Sequence, residues 1–430
     1  MTGVNARQIL AAARRHSHWI ALALALLMFG ASLWGPVSAD HRGANLHTMQ
    51  ANAWLEGTTR IDPQWILDAR GDWSIFGGYL YVAFPPAPTL LLLPVVKLFG
   101  YEHTNTTAIA VLLILVAVWA LNGALARLGV ERPARVWTLL AFVGGTGVWF
   151  VLLNSRFVWH FSHAVALACT ALCLAEALGK RRGALLGLWL AGAMLSRQLG
   201  LFLIVPVLFL TDGFRDARTR AFKRADIAAF IAVLALCLGA FALYNYARFG
   251  SLFESGYAYM AENGFLETRR ALYGRFSAAY VPFNLYYLLV HGVNLAWDKQ
   301  LAYLAHLKVD PFGTGLLAAS PFLLAGFAAK LERRVAWGLG LGIALTLGTQ
   351  MFYLGNGSAQ VNTQRFALDA MPHMVILLGA GLQQRWREFD GRLWRLSILY
   401  AIALNAVLLA GFDGLNRALL FWLRLNGAAP

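Results

Sequence analysis

The chain has 430 residues, 59% hydrophobic and 13% charged, with a mean hydropathy of +0.57, which lies outside the range of water-soluble globular domains. Its net charge of +15 does not mark a nucleic-acid binder, because Lys and Arg fall in short loops between apolar runs, where they set membrane topology. Cys169, Cys173 and Cys237 all lie inside apolar segments, which argues against a disulfide framework or a cysteine metal site.

Apolar stretches of about 20 residues, enough to cross a hydrocarbon core of roughly 30 Å as helices, recur along the chain. The predicted fold class is therefore an all-α polytopic membrane protein, with residues 1–430 as one integral domain. Arg14, Arg15, an apolar run and Val37-Ser38-Ala39 imitate a signal peptide, but the length of the run predicts an uncleaved first helix over 18–37. Six basic clusters, at Arg7 to Arg15, Arg127 to Arg135, Lys180 to Arg182, Arg215 to Arg224, Lys330 to Arg334 and Arg385 to Arg395, are read as cytoplasmic, so even numbers of crossings separate them. Between the first two clusters only two of three apolar runs can cross. The middle one, 85–99, is short and holds Pro85, Pro86, Pro88 and Pro94, and is expected to lie at the outer surface or dip in.

Residues 38–104 then form a first extracytoplasmic loop with juxtamembrane helices. Within it Leu46, Met49, Ala53 and Trp54 stand at helical spacing, which predicts an amphipathic surface helix over 43–55. Crossings follow at 105–126, 136–153 and 160–178, and 183–211 must cross twice, as two short helices meeting at Ser196-Arg197-Gln198. The segment 226–247 crosses outward, 248–310 is a second large extracytoplasmic loop, and 311–329, 335–354, 366–384 and 396–412 complete about eleven crossings. The glycines Gly144, Gly145 and Gly147 are read as close packing in a membrane helix.

Apart from the basic anchors, polar residues gather on the outer side. Asp40, His41, His47 and several carboxylates lie in the first outer loop, Arg156, His160 and His163 at the second, Arg197 and Gln198 at the third, Arg248, Glu254 and Tyr257 in the fourth, and Gln364, Arg365 and Asp369 at the fifth. Arg residues in outer loops run against the positive-inside bias and point to an anionic ligand. Each has a plainer reading: Asp40 as a helix cap, Arg156, Arg197 and Arg365 as interfacial anchors or turn caps, His160 and His163 as satisfied histidines, Glu254 and Tyr257 as loop builders, and Tyr79, Tyr81 and Phe84 as belt aromatics.

An Asp at the first helix exit, a surface helix, and Tyr79-Leu80-Tyr81-Val82-Ala83-Phe84-Pro85-Pro86 before a Leu run resemble the start of GT-C fold glycosyltransferases, in the bacterial protein O-mannosyltransferase and aminoarabinose transferase branch. Asn154-Ser155-Arg156 with His160 and His163, the turn at Ser196-Arg197-Gln198, the stretch from Tyr244-Asn245 through Arg248-Phe249-Gly250-Ser251 to Tyr257, and Gln364-Arg365-Phe366 before Pro372 continue the resemblance along the chain. His41 stands where relatives often have a second acid, and Phe84 where they have a Lys. Histidines replace the acidic metal ligands of some members, so the metal ligands stay unassigned and a divalent cation stays open.

The resemblance implies an inverting transferase in the bacterial inner membrane, N-terminus cytoplasmic, with its site on the extracytoplasmic side. It would move one hexose or pentose from a polyprenyl-phosphate carrier to a hydroxyl on a glycan, lipid or protein acceptor. Asp40 is the candidate general base and Arg156, Arg197 and Arg365 the donor-phosphate ligands. His41, Tyr79, Tyr81, His160, His163, Gln198, Glu254, Tyr257 and Gln364 are candidate substrate contacts. A lipid or solute transporter or flippase would place ionisable groups near the midplane instead. A glycan polymerase or ligase using a lipid diphosphate shares the outer Arg residues but not the surface helix after Asp40.

Overall fold

The computed structural model describes residues 30–34, 37–38, 45–65, 73–216, 219, 221–260, 265–297, 307–310, 312–356, 364–385 and 389–410. Helices dominate it. Five among the described residues are long and apolar enough to cross a membrane: Thr106–Arg127, Val158–Ala177, Arg224–Phe249, Arg365–Arg385 and Gly391–Leu409. Of the other predicted crossings 335–354 falls on one unbroken helix, Arg333–Met351, the rest fall on shorter or broken helices, and the first, 18–37, lies mostly outside the described residues.

In chain order the elements are α1 (Leu46–Leu55), the hairpin β1 (Trp73–Phe76) and β2 (Tyr79–Val82), α2 (Ala87–Phe99), α3 (Thr106–Arg127), α4 (Arg132–Gly144), α5 (Val148–Leu153) and α6 (Val158–Ala177). Next come α7 (Gly183–Met194), a 3-10 turn over Gln198–Leu203, α8 (Ile204–Leu210), α9 (Arg224–Phe249) and α10 (Phe265–Tyr273). A short ribbon pairs β3 (Leu295–Trp297) with β4 (Leu307–Val309). The chain finishes with a 3-10 stretch over Pro321–Ala328, α11 (Arg333–Met351), a 3-10 turn over Arg365–Ala370, α12 (Met371–Arg385) and α13 (Phe389–Ala410).

The centre of the bundle is α3 against α6, flanked by α7, α8 and α12, and buried Leu121, Phe142, Phe161, Leu174 and Leu190 fill it. By contrast α9 is little buried along its apolar length, with one face packed on α7 and the other open, the pattern of a helix at the lipid boundary. At its end Gly250 adopts φ +68°, the left-handed cap that only glycine takes without strain.

Two predicted spans are broken. The run 136–153 divides into α4 and α5 around Gly145, where an added Cβ would stand 2.7 Å from the Phe322 ring, so the glycine is a close-packing site as expected, but at a break. The freed carbonyls are capped: Asn405 Nδ2 donates to Gly144 O at 2.7 Å and to Thr146 O at 3.1 Å, and Ser320 Oγ donates to Gly145 O at 2.5 Å. Side-chain donors of this kind are what permit irregular backbone at membrane depth. The run 311–329 likewise holds a single α-turn and the 3-10 stretch.

The helix expected over 43–55 forms as α1, opened by the Asn45 side chain accepting from His47 N at 3.0 Å. It is not amphipathic: Leu46 through Ala51 and Ala53 are all buried. The hairpin turns on Gly77 and Gly78, φ +58° and +80°, the left-handed pair that a two-residue turn requires. It joins α1 in one small core through Met49, Trp73, Val82 and Phe84.

Candidate functional site

The loop-bearing end of the bundle collects the polar side chains. His160 and His163 stand on the first turns of α6, Arg197 opens the 3-10 turn before α8, and Arg365 and Asp369 lie on the 3-10 turn before α12. Asp369 is the hub of this group. Arg197 donates to it through Nε at 3.1 Å and Nη2 at 3.0 Å, and His163 Nδ1 lies 3.4 Å from the same carboxylate. Arg365 Nη1 lies 3.3 Å from His160 Nε2. Two guanidiniums, one carboxylate and two imidazoles are thus held within one buried group. Phe366 lines it, 5.1 Å from the Arg197 guanidinium carbon and 5.4 Å from that of Arg365. A small cleft opens beneath, lined by Thr170, Arg197, Gly200, Leu368 and Asp369.

A second polar chain joins α1 to α2, α6 and α9. The two ring nitrogens of His47 each lie 2.9 Å from a hydroxyl, Nδ1 from Thr89 and Nε2 from Ser162. Thr89 donates to Gln50 Oε1, Gln50 Nε2 donates to the Tyr244 hydroxyl at 2.6 Å, and Trp54 Nε1 reaches the same oxygen at 3.3 Å. The Arg248 guanidinium lies 3.9 Å from the centre of the Tyr244 ring and donates to Val82 O at 2.6 Å and Asn245 Oδ1 at 2.8 Å. Burial away from water disfavours charge on His47 and pushes its pKa down to about 3, against a smaller opposing effect of Gln50.

His160, His163, Arg197 and Arg365, widely separated in sequence, therefore meet. The remaining expected residues fall elsewhere. Arg156 stacks on Phe157 at 4.7 Å, beside the α5–α6 turn. Gln198 is exposed next to Arg197. Gln364 is buried and donates to Phe312 O at 3.1 Å. Tyr79 is exposed and carries Arg60 over its ring at 3.6 Å, whereas Tyr81 is buried against Phe249. Glu254 accepts from Gly256 N at 2.6 Å and Ala258 N at 3.3 Å, so its carboxylate folds the loop. Tyr257 packs edge-on to Phe84. Asp40 and His41 lie outside the described residues. Among those residues no three His, Cys, Asp or Glu side chains are grouped to hold a metal ion.

Sequence reasoning placed Asp369, His47 and Arg248 in outer loops without giving them a role. For Asp369 a signal existed: it stands four residues after Arg365, on the same face of a helical turn. Its partner Arg197, 172 residues away, carried none.

Two crystal structures of ArnT from Cupriavidus metallidurans share this architecture. The apo structure superposes with a TM-score of 0.53 at 14% identity, covering 94% of this chain and 78% of that one. The structure bound to undecaprenyl phosphate gives 0.51 at 14%, covering 93% and 77%. No protein-family model matches the chain, and no curated protein matches it at a significant level. At this identity the likeness is one of fold: the chain has the GT-C fold of ArnT.

Proposed function

We propose that the protein is a bacterial inner-membrane glycosyltransferase that moves one hexose or pentose from a polyprenyl-phosphate carrier to a hydroxyl of a glycan, lipid or protein acceptor. The observation that carries this reading is the meeting of Arg197 and Arg365 at the loop-bearing end of a fold shared with a protein crystallised on undecaprenyl phosphate. Both side chains are guanidiniums, and Arg is suited to phosphate oxygens. Arg156, one turn before His160, is the third candidate cation.

The chemistry is a single displacement. The acceptor oxygen attacks the anomeric carbon, the bond from that carbon to the phosphate oxygen breaks, and polyprenyl phosphate departs with a second negative charge that the guanidiniums stabilise. The acceptor proton passes to Asp40 as general base, and the configuration inverts. Asp40 is bracketed by anchored neighbours. Val37 O, three residues before it, accepts from Asn105 Nδ2 at 2.5 Å. Asn45, five residues after it, donates to Ser155 O at 3.4 Å, beside Arg156. In this reading the site faces the extracytoplasmic side, and His41, Gln198 and Tyr257 are substrate contacts.

The test is transfer from a panel of radiolabelled polyprenyl-phosphate sugars by the purified chain in detergent. Asp40→Asn is expected to lower turnover at least about 100-fold with unchanged unfolding temperature. Retained turnover overturns the base assignment, and transfer from a lipid diphosphate alone overturns the donor class.

A further inference from the structure

The ion pair between Arg197 and Asp369 has a directional form. Asp369 takes the Nε and Nη2 edge of the guanidinium, so Nη1 and its two N–H groups face away from it and have no partner among the described residues. Burial divides the pair in the same way: the Asp369 side chain is 3% exposed and that of Arg197 20%. The carboxylate stands behind the guanidinium, and what exposure the pair has belongs to Arg197. Asp369 is itself held, on a buried 3-10 turn with His163 Nδ1 at 3.4 Å.

Burying a carboxylate carries a desolvation cost that its ion pair does not always recover, and half-cancelling the charge of a cation that serves an anionic ligand is no gain in Coulomb attraction. What a two-point contact does supply is a fixed plane. We propose that Asp369 is a positioning residue, which locks the Arg197 guanidinium so that Nη1 meets an anionic phosphate oxygen of the lipid-linked donor. This rests on the function proposed above and adds a residue to it. Asp369 does not touch the donor, and the benefit it brings passes entirely through Arg197.

The probe is undecaprenyl phosphate titrated against the full chain in detergent, with binding read from intrinsic tryptophan fluorescence. Arg197→Ala and Asp369→Asn are each expected to weaken binding about tenfold, and the double variant to lose no more than Arg197→Ala alone, because residues acting through one contact are not additive. Asp369→Glu keeps the charge that balances Arg197 and moves the carboxylate by one methylene; it carries the test if the Asn variant does not fold, and is expected to weaken binding several-fold. Wild-type affinity in Asp369→Glu overturns the proposal, as does an additive loss of about 100-fold in the double variant, which marks a role in the fold alone. Unchanged binding by Arg197→Ala, or none by the wild-type chain, overturns it together with the reading of the site beneath it.

Discussion

His47 shows how much a single side chain in the first loop commits to being neutral. Thr89 gives its proton to Gln50, so it accepts from His47 Nδ1–H, and the Ser162 hydroxyl proton is shared between the lone pair on Nε2 and Val158 O, 2.8 Å away. With its pKa pushed down to about 3 and an unfolded value near 6.5, the unfolded chain binds one more proton than the folded one between those two values. Stability therefore rises with pH across that window and is lost as the medium is acidified. Between pH 7 and pH 4.5 this one group is expected to cost about 3 kcal/mol. His47→Gln, which cannot titrate, should lack that increment when unfolding is followed at the two pH values; equal pH dependence in variant and parent would show that the buried ring does not matter. Nothing in the sequence revealed this role, because Ser162 stands 115 residues from His47, and a histidine after a helix exit reads the same whether it meets substrate or two hydroxyls.

Helix packing depends on a pair of small residues that apolar runs conceal. Gly183 and Gly187 stand one turn apart on α7, where an added Cβ would strike Asp226 O and come within 2.8 Å of Phe230 O on α9. This is backbone-to-backbone approach of the kind small residues allow between membrane helices. Gly183→Ala must push α9 away and is expected to cost about 1–3 kcal/mol. Gly239→Ala, on α9 with nothing within 4 Å, should be neutral or stabilising, since Ala favours a helix by up to about 1 kcal/mol. Thermal unfolding of both in detergent separates them, and similar shifts would refute the close approach. The two short helices meeting at Arg197 were legible because charge parity demanded two crossings with a polar turn between them. The break at Gly145 was not, since hydropathy is blind to a kink whose carbonyls are capped by Ser320 and Asn405 from far along the chain.

Over the whole molecule, composition was enough for the fold class, because no water-soluble core uses so few charges. The basic clusters predict a topology. With Lys180 to Arg182 and Arg215 to Arg224 on the cytoplasmic side, cysteines introduced at Glu56 and Phe253 in a variant lacking the three native ones should react in intact cells with a membrane-impermeant maleimide, and one at Thr219 should not. The opposite pattern would invert the orientation. The site was legible only as a list of polar residues on one side; which of them meet is decided by contacts between remote segments. Such contacts also set the order of events during synthesis. Ser74 Oγ donates to Gly256 O across 182 residues, and Arg248 to Val82 O across 166, so the hairpin of the first loop lacks these partners until the end of α9 has been made. At about 5–20 residues per second that is a wait of about 10–35 seconds, during which Ser74 and the Val82 carbonyl must find other partners. The interval is long enough for a chaperone or a protease on that side of the membrane to act before the site can assemble.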